Sequence, residues 1–352
     1  MKNRVSWSAK LRYFRRMILV TGGTGFLGAH LLYRLVSEGA EVKALKRPES
    51  STALTEKIFS YYTQYPSDLL KKITWIEGDL LDVFSLLEAF EGVDQLYHTA
   101  AMVSLDSGDG LDLLHTNVEG TANVVNAALE KNVGKLCNVS SIGALGYEAD
   151  HEVIDEETPW DPSKNKSLYS KSKYEAEREV WRGMAEGLNA VIVNPSVILG
   201  PGNWHHGSPK IFTTVFKGLK FYPQGTNGFV DVQDVVTAMK KLMNSDVSGD
   251  RFVVNSENIP YRLLFEWMAD ALHVTAPTYK AGKFLGETGW RFSKMLSLLN
   301  GRPQTITKSA IRSSNRYYIY SNSKLLHTTG MHFKTVKESV DNTAMQFLID
   351  HA

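Results

Sequence analysis

Tyr169 and Lys173 stand four residues apart in the run Tyr169-Ser-Lys-Ser-Lys173, a spacing that puts both on one face of a helix. A tyrosine phenol titrates at about 10 when unperturbed, too high for a base at neutral pH. An ammonium beside it favours the phenolate and lowers that value. The pair can then take a proton from an alcohol or return one to a carbonyl. With 15 tyrosines in the chain such spacings also arise by chance, so context decides. Here the pair opens a helix directly after a loop. It also follows Val139-Ser-Ser-Ile-Gly-Ala-Leu-Gly146, a strand end that presents hydroxyls.

A second run carries different chemistry. Ile18-Leu-Val-Thr-Gly-Gly-Thr-Gly-Phe-Leu-Gly28 reads as strand, turn and helix start, with Phe26 and Leu27 opening the helix. Gly22 permits the tight turn, Gly25 lets backbone approach a pyrophosphate, and Gly28 lets the helix pack on the strand. N–H groups at the helix start, helped by the helix dipole, face the phosphates. Strand, turn and helix together, rather than glycines alone, make this a dinucleotide-binding turn. NAD sites usually place an acid on the ribose about 20 residues onward. The second strand instead ends Ala44-Leu-Lys-Arg47, with no carboxylate at its tip. Lys46 and Arg47 suit a 2′-phosphate, Arg47 gripping it bidentately, so NADP(H) is preferred over NAD(H). A solvated basic turn is the plainer alternative.

Such groups need a scaffold that brings strand ends together, and the apolar pattern supplies one. Strands are expected at 17–20, 41–45, 73–77, 95–98, 135–139 and 190–193, with helices at 26–38, 85–90, 117–131 and 168–187. This alternation predicts an α/β, Rossmann-type doubly wound parallel sheet with helices on both faces. A further strand at 251–255 rejoins the sheet. Residues 201–228 read as loop with one helix at 209–218, and helices follow at 261–272 and 336–351. A dinucleotide-binding domain is therefore expected at 17–200 plus 229–257. A smaller, mixed substrate domain takes 201–228 plus 258–352, above the strand carboxyl ends. Phe284, Leu285, Trp290, Phe292, Met295, Leu296, Leu298 and Leu299 suit a hydrophobic substrate or a membrane surface, with core packing the plainer reading.

Composition narrows the partners. The chain has 352 residues, is 43% hydrophobic and 22% charged, and carries a net charge of +1, which gives no support for nucleic acid. Cys137 is the one cysteine, so no intrachain disulfide forms, and a reducing, cytoplasmic setting fits. No apolar run approaches the roughly 20 residues that span a bilayer. Residues 1–16 hold Lys2, Arg4, Lys10, Arg12, Arg15 and Arg16 without an acid. They read as a basic extension upstream of a start at Met17, a transit peptide being the alternative. His205 and His206 are adjacent and lack ligand spacing, so no metal is expected.

In these motifs the sequence resembles the extended short-chain dehydrogenase/reductase family, also called the NAD-dependent epimerase/dehydratase family. The likeness runs from Met17 nearly to the C-terminus. Residues 21–28 match its cofactor turn, and Asp79-Leu80 its adenine-contacting pair. The strand end His98-Thr99-Ala100-Ala101 matches the one over the cofactor, and Asn117-Val-Glu-Gly-Thr121 the following helix start. Ser141, Tyr169 and Lys173 fall on the catalytic positions. Asn194-Pro195-Ser196, followed by Val197, falls on the nicotinamide-side strand end, and Phe229-Val-Asp-Val-Gln-Asp-Val235 on a late motif. The resemblance implies that Tyr169 moves a proton as hydride passes to or from the nicotinamide. It implies too that Ser141 hydrogen-bonds the reacting oxygen and that Lys173 also holds the nicotinamide ribose.

Two branches compete: carbonyl reductases or alcohol dehydrogenases, and nucleotide-sugar epimerases or dehydratases. The sugar-nucleotide enzymes typically carry an Asn three residues before Gly200, where this chain has Val197. They commonly carry an Arg two residues before Phe229, where this chain has Asn227. Losing an amide and a cation from a diphosphate site weakens anion binding. The segment, with Arg47 and the run 318–326, instead resembles the dihydroflavonol reductase and 3β-hydroxysteroid dehydrogenase branch. A non-catalytic dinucleotide sensor is a third class, but such proteins commonly lose the Tyr or the Lys. By resemblance, a homodimer through helices 117–131 and 168–187 is an open expectation.

Overall fold

Short Val-, Ile- and Leu-rich runs stopped by glycine or aspartate build one face-covered sheet; the computed structural model describes residues 16–104, 110–147, 152–163, 167–281 and 308–352. In chain order come β1 (Ile18–Thr21), α1 (Phe26–Ser37), β2 (Val42–Lys46), α2 (Ala53–Ser60), α3 (Pro66–Leu70), β3 (Ile73–Glu77), α4 (Val83–Ala89) and β4 (Gln95–His98). Helix α5 (Gly110–Leu114) runs through a π-helical turn, His115–Glu119, into α6 (Gly120–Glu130). Then follow β5 (Lys135–Val139), β6 (Val153–Ile154), α7 (Leu168–Ala185), β7 (Ala190–Pro195), β8 (Val197–Leu199), α8 (Lys210–Phe216) and β9 (Phe221–Tyr222). The rest comprises β10 (Thr226–Asp231), α9 (Val232–Met243), β11 (Asp250–Val254), β12 (Glu257–Pro260), α10 (Tyr261–Ala271) and β13 (Tyr279–Lys280). The last described elements are α11 (Lys308–Ser314), β14 (Ile319–Tyr320), α12 (Ser323–Thr329) and α13 (Val336–His351).

Seven strands form a parallel sheet in the order β11-β7-β5-β4-β1-β2-β3. Its faces are both buried, as a parallel sheet requires. Val20, Tyr97, Cys137 and Val193 enter one apolar cluster with α1 and α9. Their neighbours Leu19, Leu96, Leu136 and Ile192 enter the opposite cluster with α6 and α7. The strand order reverses between β1 and β4, the point at whose carboxyl side doubly wound sheets bind ligands. Thr21 and His98, the last residues of those strands, pair in register there.

A smaller sheet sets β10 parallel to β8 and antiparallel to β12. It shares a separate apolar cluster, including Trp204, Phe212, Phe229, Leu264 and Phe347, with α8, α10 and α13. The late motif at 229–235 is a strand end and a capped helix, because the Asp231 side chain accepts from Gln233 N at 2.8 Å. That helix, α9, and strands β8 and β10 are absent from the sequence-based element reading. Leu325 and Met331 lie in the Val20 cluster, so the chain returns to the large sheet before its final helix. No helix among the described residues is long and apolar enough to cross a membrane. The Phe284 to Leu299 apolar cluster and residues 1–15 lie outside the described residues.

Candidate active site

The turn after β1 is built from backbone. Gly22 has φ +75°, a left-handed value that favours glycine, and Gly25 N donates to Gly22 O at 2.9 Å. At Gly28 a Cβ would stand 2.1 Å from Gly22 O and 2.8 Å from Thr99 Oγ1, so helix and turn could not both keep their places. Helix α1 begins at Gly25 with no side-chain cap and no acid in its first turn, leaving its leading N–H groups to an outside acceptor. An anionic pyrophosphate has the chemistry for that end. Phe26 packs edge-on to His30, and a Cβ on Gly202 would meet the Phe26 ring at 2.7 Å. Leu27 is buried.

Past β4 in the sheet, the end of β5 is gripped by α7. Lys173 donates to Val139 O at 2.8 Å, and the Ser141 and Tyr169 side chains hydrogen-bond each other. Ser167 caps α7, accepting from Ser170 N, so the helix starts where Tyr169 is needed. Burial pushes the Tyr169 phenol up, against the Ser141 hydrogen bond. The lowering expected beside Lys173 and a positive nicotinamide ring is opposed by this desolvation. Burial also brings Lys173 down to about 8, against the opposing charge of Glu177.

Beside them, His98 lies between Thr21 Oγ1, 2.7 Å from its Nδ1, and Thr121 Oγ1, 3.2 Å from its Nε2. Burial, with the Lys173 charge, drops it to about 3, so the ring is neutral. Asn117 sits in the π turn and clamps Met102. It accepts from Met102 N at 2.7 Å and donates to Met102 O and Ser172 Oγ, each at 3.0 Å. Its amide therefore shapes the wall after β4.

The other sequence-derived positions lie at the ends of β2, β4 and β7 and just after β3. Thr99 spends its hydroxyl on Thr21 O at 2.6 Å, leaving Ala100 and Ala101 at the open edge. Asp79 accepts from Leu81 N, and Leu80 O accepts from Asn123 Nδ2, which together fix the loop after β3. Lys46 pairs with Glu77 at 3.0 Å and Arg47 with Glu49 at 3.1 Å. Both acids are well exposed, so the pairs exchange readily with another anion. Pro195 ends β7 and Val197 opens β8. Between them, Ser196 Oγ is buried without a hydrogen-bond partner among the described residues. A buried hydroxyl left over at a strand end, a bare helix start and the tight glycine turn fit a polar dinucleotide. His205 and His206 are exposed.

Sequence reasoning missed Glu177, Arg251 and the supporting role of Asn194. Glu177 is 2% exposed and takes four hydrogen bonds. Its position four residues after Lys173 was the available signal. Asn227 donates to the Tyr261 hydroxyl at 3.0 Å and accepts from Gly228 N at 2.9 Å, so both ends of its amide are engaged.

The profile described as "NAD dependent epimerase/dehydratase family" matches residues 18–255. The sterol demethylase protein B of Methylococcus capsulatus is 30% identical over 261 residues, covering 72% of this chain and 73% of that protein. A Synechocystis protein assigned as a dihydroflavonol 4-reductase is 28% identical over 338 residues, 93% of each chain. The crystal structure of gox2253 superposes with a TM-score of 0.79 at 28% identity, covering 96% of this chain and 98% of that one.

Proposed function

The chain belongs to the NAD-dependent epimerase/dehydratase family and is an NAD(P)-dependent oxidoreductase, and from that premise we propose that it reduces hydrophobic carbonyl compounds with NADPH, using Tyr169 as the proton donor. Asn227 carries this reading. It stands where the sugar-nucleotide branch commonly places an Arg, and its amide is already engaged by Tyr261 and Gly228. No cation is fixed at that position to grip a diphosphate.

The bound NADPH supplies the hydride. Tyr169 is buried and its phenol holds its proton at neutral pH, which is the form that gives a proton to a carbonyl oxygen. Ser141 hydrogen-bonds Tyr169 and points its hydroxyl at the same oxygen, steadying the charge that develops there. Lys173 keeps a positive charge behind the phenol, so the tyrosinate left after transfer is stabilised until it is reprotonated. Lys173 would also hold the nicotinamide ribose, and the Ser196 hydroxyl would be available to the nicotinamide side. Gly22, Gly25, Phe26, Leu27 and Gly28 take the pyrophosphate end, Asp79 and Leu80 the adenine, and Thr99 to Ala101 with Asn117 the wall between. Lys46 and Arg47, now paired with Glu77 and Glu49, would hold the 2′-phosphate and so favour NADPH over NADH.

Six residues beyond Ser141 in sequence, the buried Tyr147 packs in one aromatic cluster with Tyr318 and Tyr320, and an apolar surrounding of this kind favours a hydrophobic substrate. Tyr147 and Tyr318 meet edge to face at 5.2 Å, and Tyr318 stacks on Tyr320 at 6.0 Å. The names of the relatives, a sterol-processing protein and a dihydroflavonol reductase, describe ring systems of matching chemistry. The test is NADPH oxidation against a panel of aryl and alicyclic ketones and aldehydes, with Tyr169→Phe alongside. We expect Tyr169→Phe to lose about a hundredfold or more while still binding NADPH. An undiminished rate would overturn the reading.

A further inference from the structure

Glu177 is a carboxylate with no part in the chemistry above, yet it lies at the centre of the polar contacts beneath it. It is 2% exposed, one turn beyond Lys173 on α7. Its Oε2 accepts from Ser140 Oγ at 2.5 Å and from Asn194 Nδ2 at 2.8 Å. Its Oε1 accepts from Arg251 Nη1 at 2.9 Å and from Trp181 Nε1 at 3.3 Å. Asn194 Nδ2 also donates to Ser141 O at 3.0 Å. Three consecutive residues at the end of β5 are thus tied down: Val139 by Lys173, Ser140 by Glu177, and Ser141 by Asn194. Arg251, on β11, is itself anchored through Nε and Nη2 to Glu156 O.

We infer that Glu177 is a positioning residue for the proton-transfer site: its carboxylate fixes the ends of β5 and β7 against α7 and sets its charge one helical turn beyond Lys173. The inference rests on the assignment of Tyr169 and Lys173 proposed above. A buried carboxylate persists only where donors and charges compensate it, and four donors with one guanidinium do so here. Arg251 meets the oxygen turned away from the strand ends, while Ser140 and Asn194 hold the other. The titratable groups facing Lys173 among the described residues are His98 of β4, neutral in this site, and Tyr169 and Glu177 of its own helix. Those facing Glu177 are Lys173 and Arg251, with Glu156 behind Arg251 and with Glu157, Arg178 and Asp250 lining the same cavity. Glu177 is therefore the one anion close to Lys173 in this set, and it opposes the burial that pulls the ammonium down.

The test is the pH profile of NADPH-dependent reduction for Glu177→Gln and Glu177→Asp, with circular dichroism and NADPH binding as controls. Gln keeps the shape and removes the charge. Lys173 and Tyr169 then give up their protons at lower pH, so the alkaline limb should move down by about half a unit or more. Asp keeps the charge and withdraws it from Ser140 and Asn194. Its limb should stay near the wild-type position while kcat falls about threefold or more and KM for NADPH holds. A purely structural role would lower the rate of Glu177→Gln without moving the limb, and an unmoved limb overturns the inference. If Glu177→Gln does not fold, Glu177→Asp decides, and wild-type kcat there overturns it. Tyr169→Phe separates the two claims. Full activity in it sinks the underlying assignment, whereas loss in it with an unmoved Glu177→Gln limb sinks only the role of Glu177.

Discussion

Two regions at the strand ends of one sheet solve opposite problems. After β1 the surface is backbone: Gly22 turns the chain, Gly28 admits the helix, and the N–H groups of α1 are left without a side-chain cap. After β5 and β7 the surface is side chain: Ser141, Tyr169, Lys173, Asn194 and Glu177 are ordered by one another. On the proposed reading the first region holds a pyrophosphate, a charge that never changes, and fixed dipoles suffice for it. The second must hold a proton in either of two places, which needs groups whose pKa values burial can move. The first should therefore fail through shape, and the second through charge.

The largest expected effect separates activity from stability in the second region. Lys173→Met should cost about a hundredfold to ten-thousandfold in kcat. Its melting temperature should hold or rise, because a buried ammonium already pulled down to about 8 is removed. A large loss of stability would break the contrast. In the first region Gly28→Ala should destabilise by about 3 kcal/mol and weaken dinucleotide binding more than tenfold. Its new Cβ meets Gly22 O, which is backbone and cannot yield. Thermal melts and NADPH titration read both effects, and near-wild-type binding would contradict the packing argument.

Acid should act on both regions. His30, on α1 after the glycine turn, and His98 are buried and neutral, lowered to about 4 and about 3 from 6.5. The unfolded chain binds these protons first as pH falls. Stability is thus fully present above about 6.5 and drains away between 6.5 and 4, by about 3 kcal/mol for His30. Melting temperatures across that window check the sign, and His30→Gln should flatten part of the slope. The smallest effect belongs to Arg47→Ala, which should cut the NADPH over NADH preference about tenfold or less, since the site is exposed.

The large sheet was legible because each strand is a short apolar run between stops, and both faces of a parallel sheet demand that pattern. The glycine turn was legible for the same reason, since its spacing is local. Helix α9 was not, because its start is hidden in a motif that continues a strand, and only the Asp231 cap marks the change. Glu177 was hidden differently. It sits in Lys173-Tyr-Glu-Ala-Glu-Arg-Glu179, which reads as a solvated face, and only the tertiary approach of Ser140, Asn194 and Arg251 makes it a buried hub. The sequence suits Lys46 to a 2′-phosphate but does not show that the β2–β3 register sets it against Glu77. The π turn that aims Asn117 at Met102 leaves no sequence signal at all.

The most direct test of the central claim is native mass spectrometry of the purified protein, to see which dinucleotide it carries. A reductase releases its cofactor after every turnover, whereas an epimerase regenerates its cofactor in place and keeps it. We expect an empty protein, or one loosely holding NADP(H) that exchanges on dilution. Stoichiometric, retained NAD would contradict the account and move the chain to sugar-nucleotide chemistry.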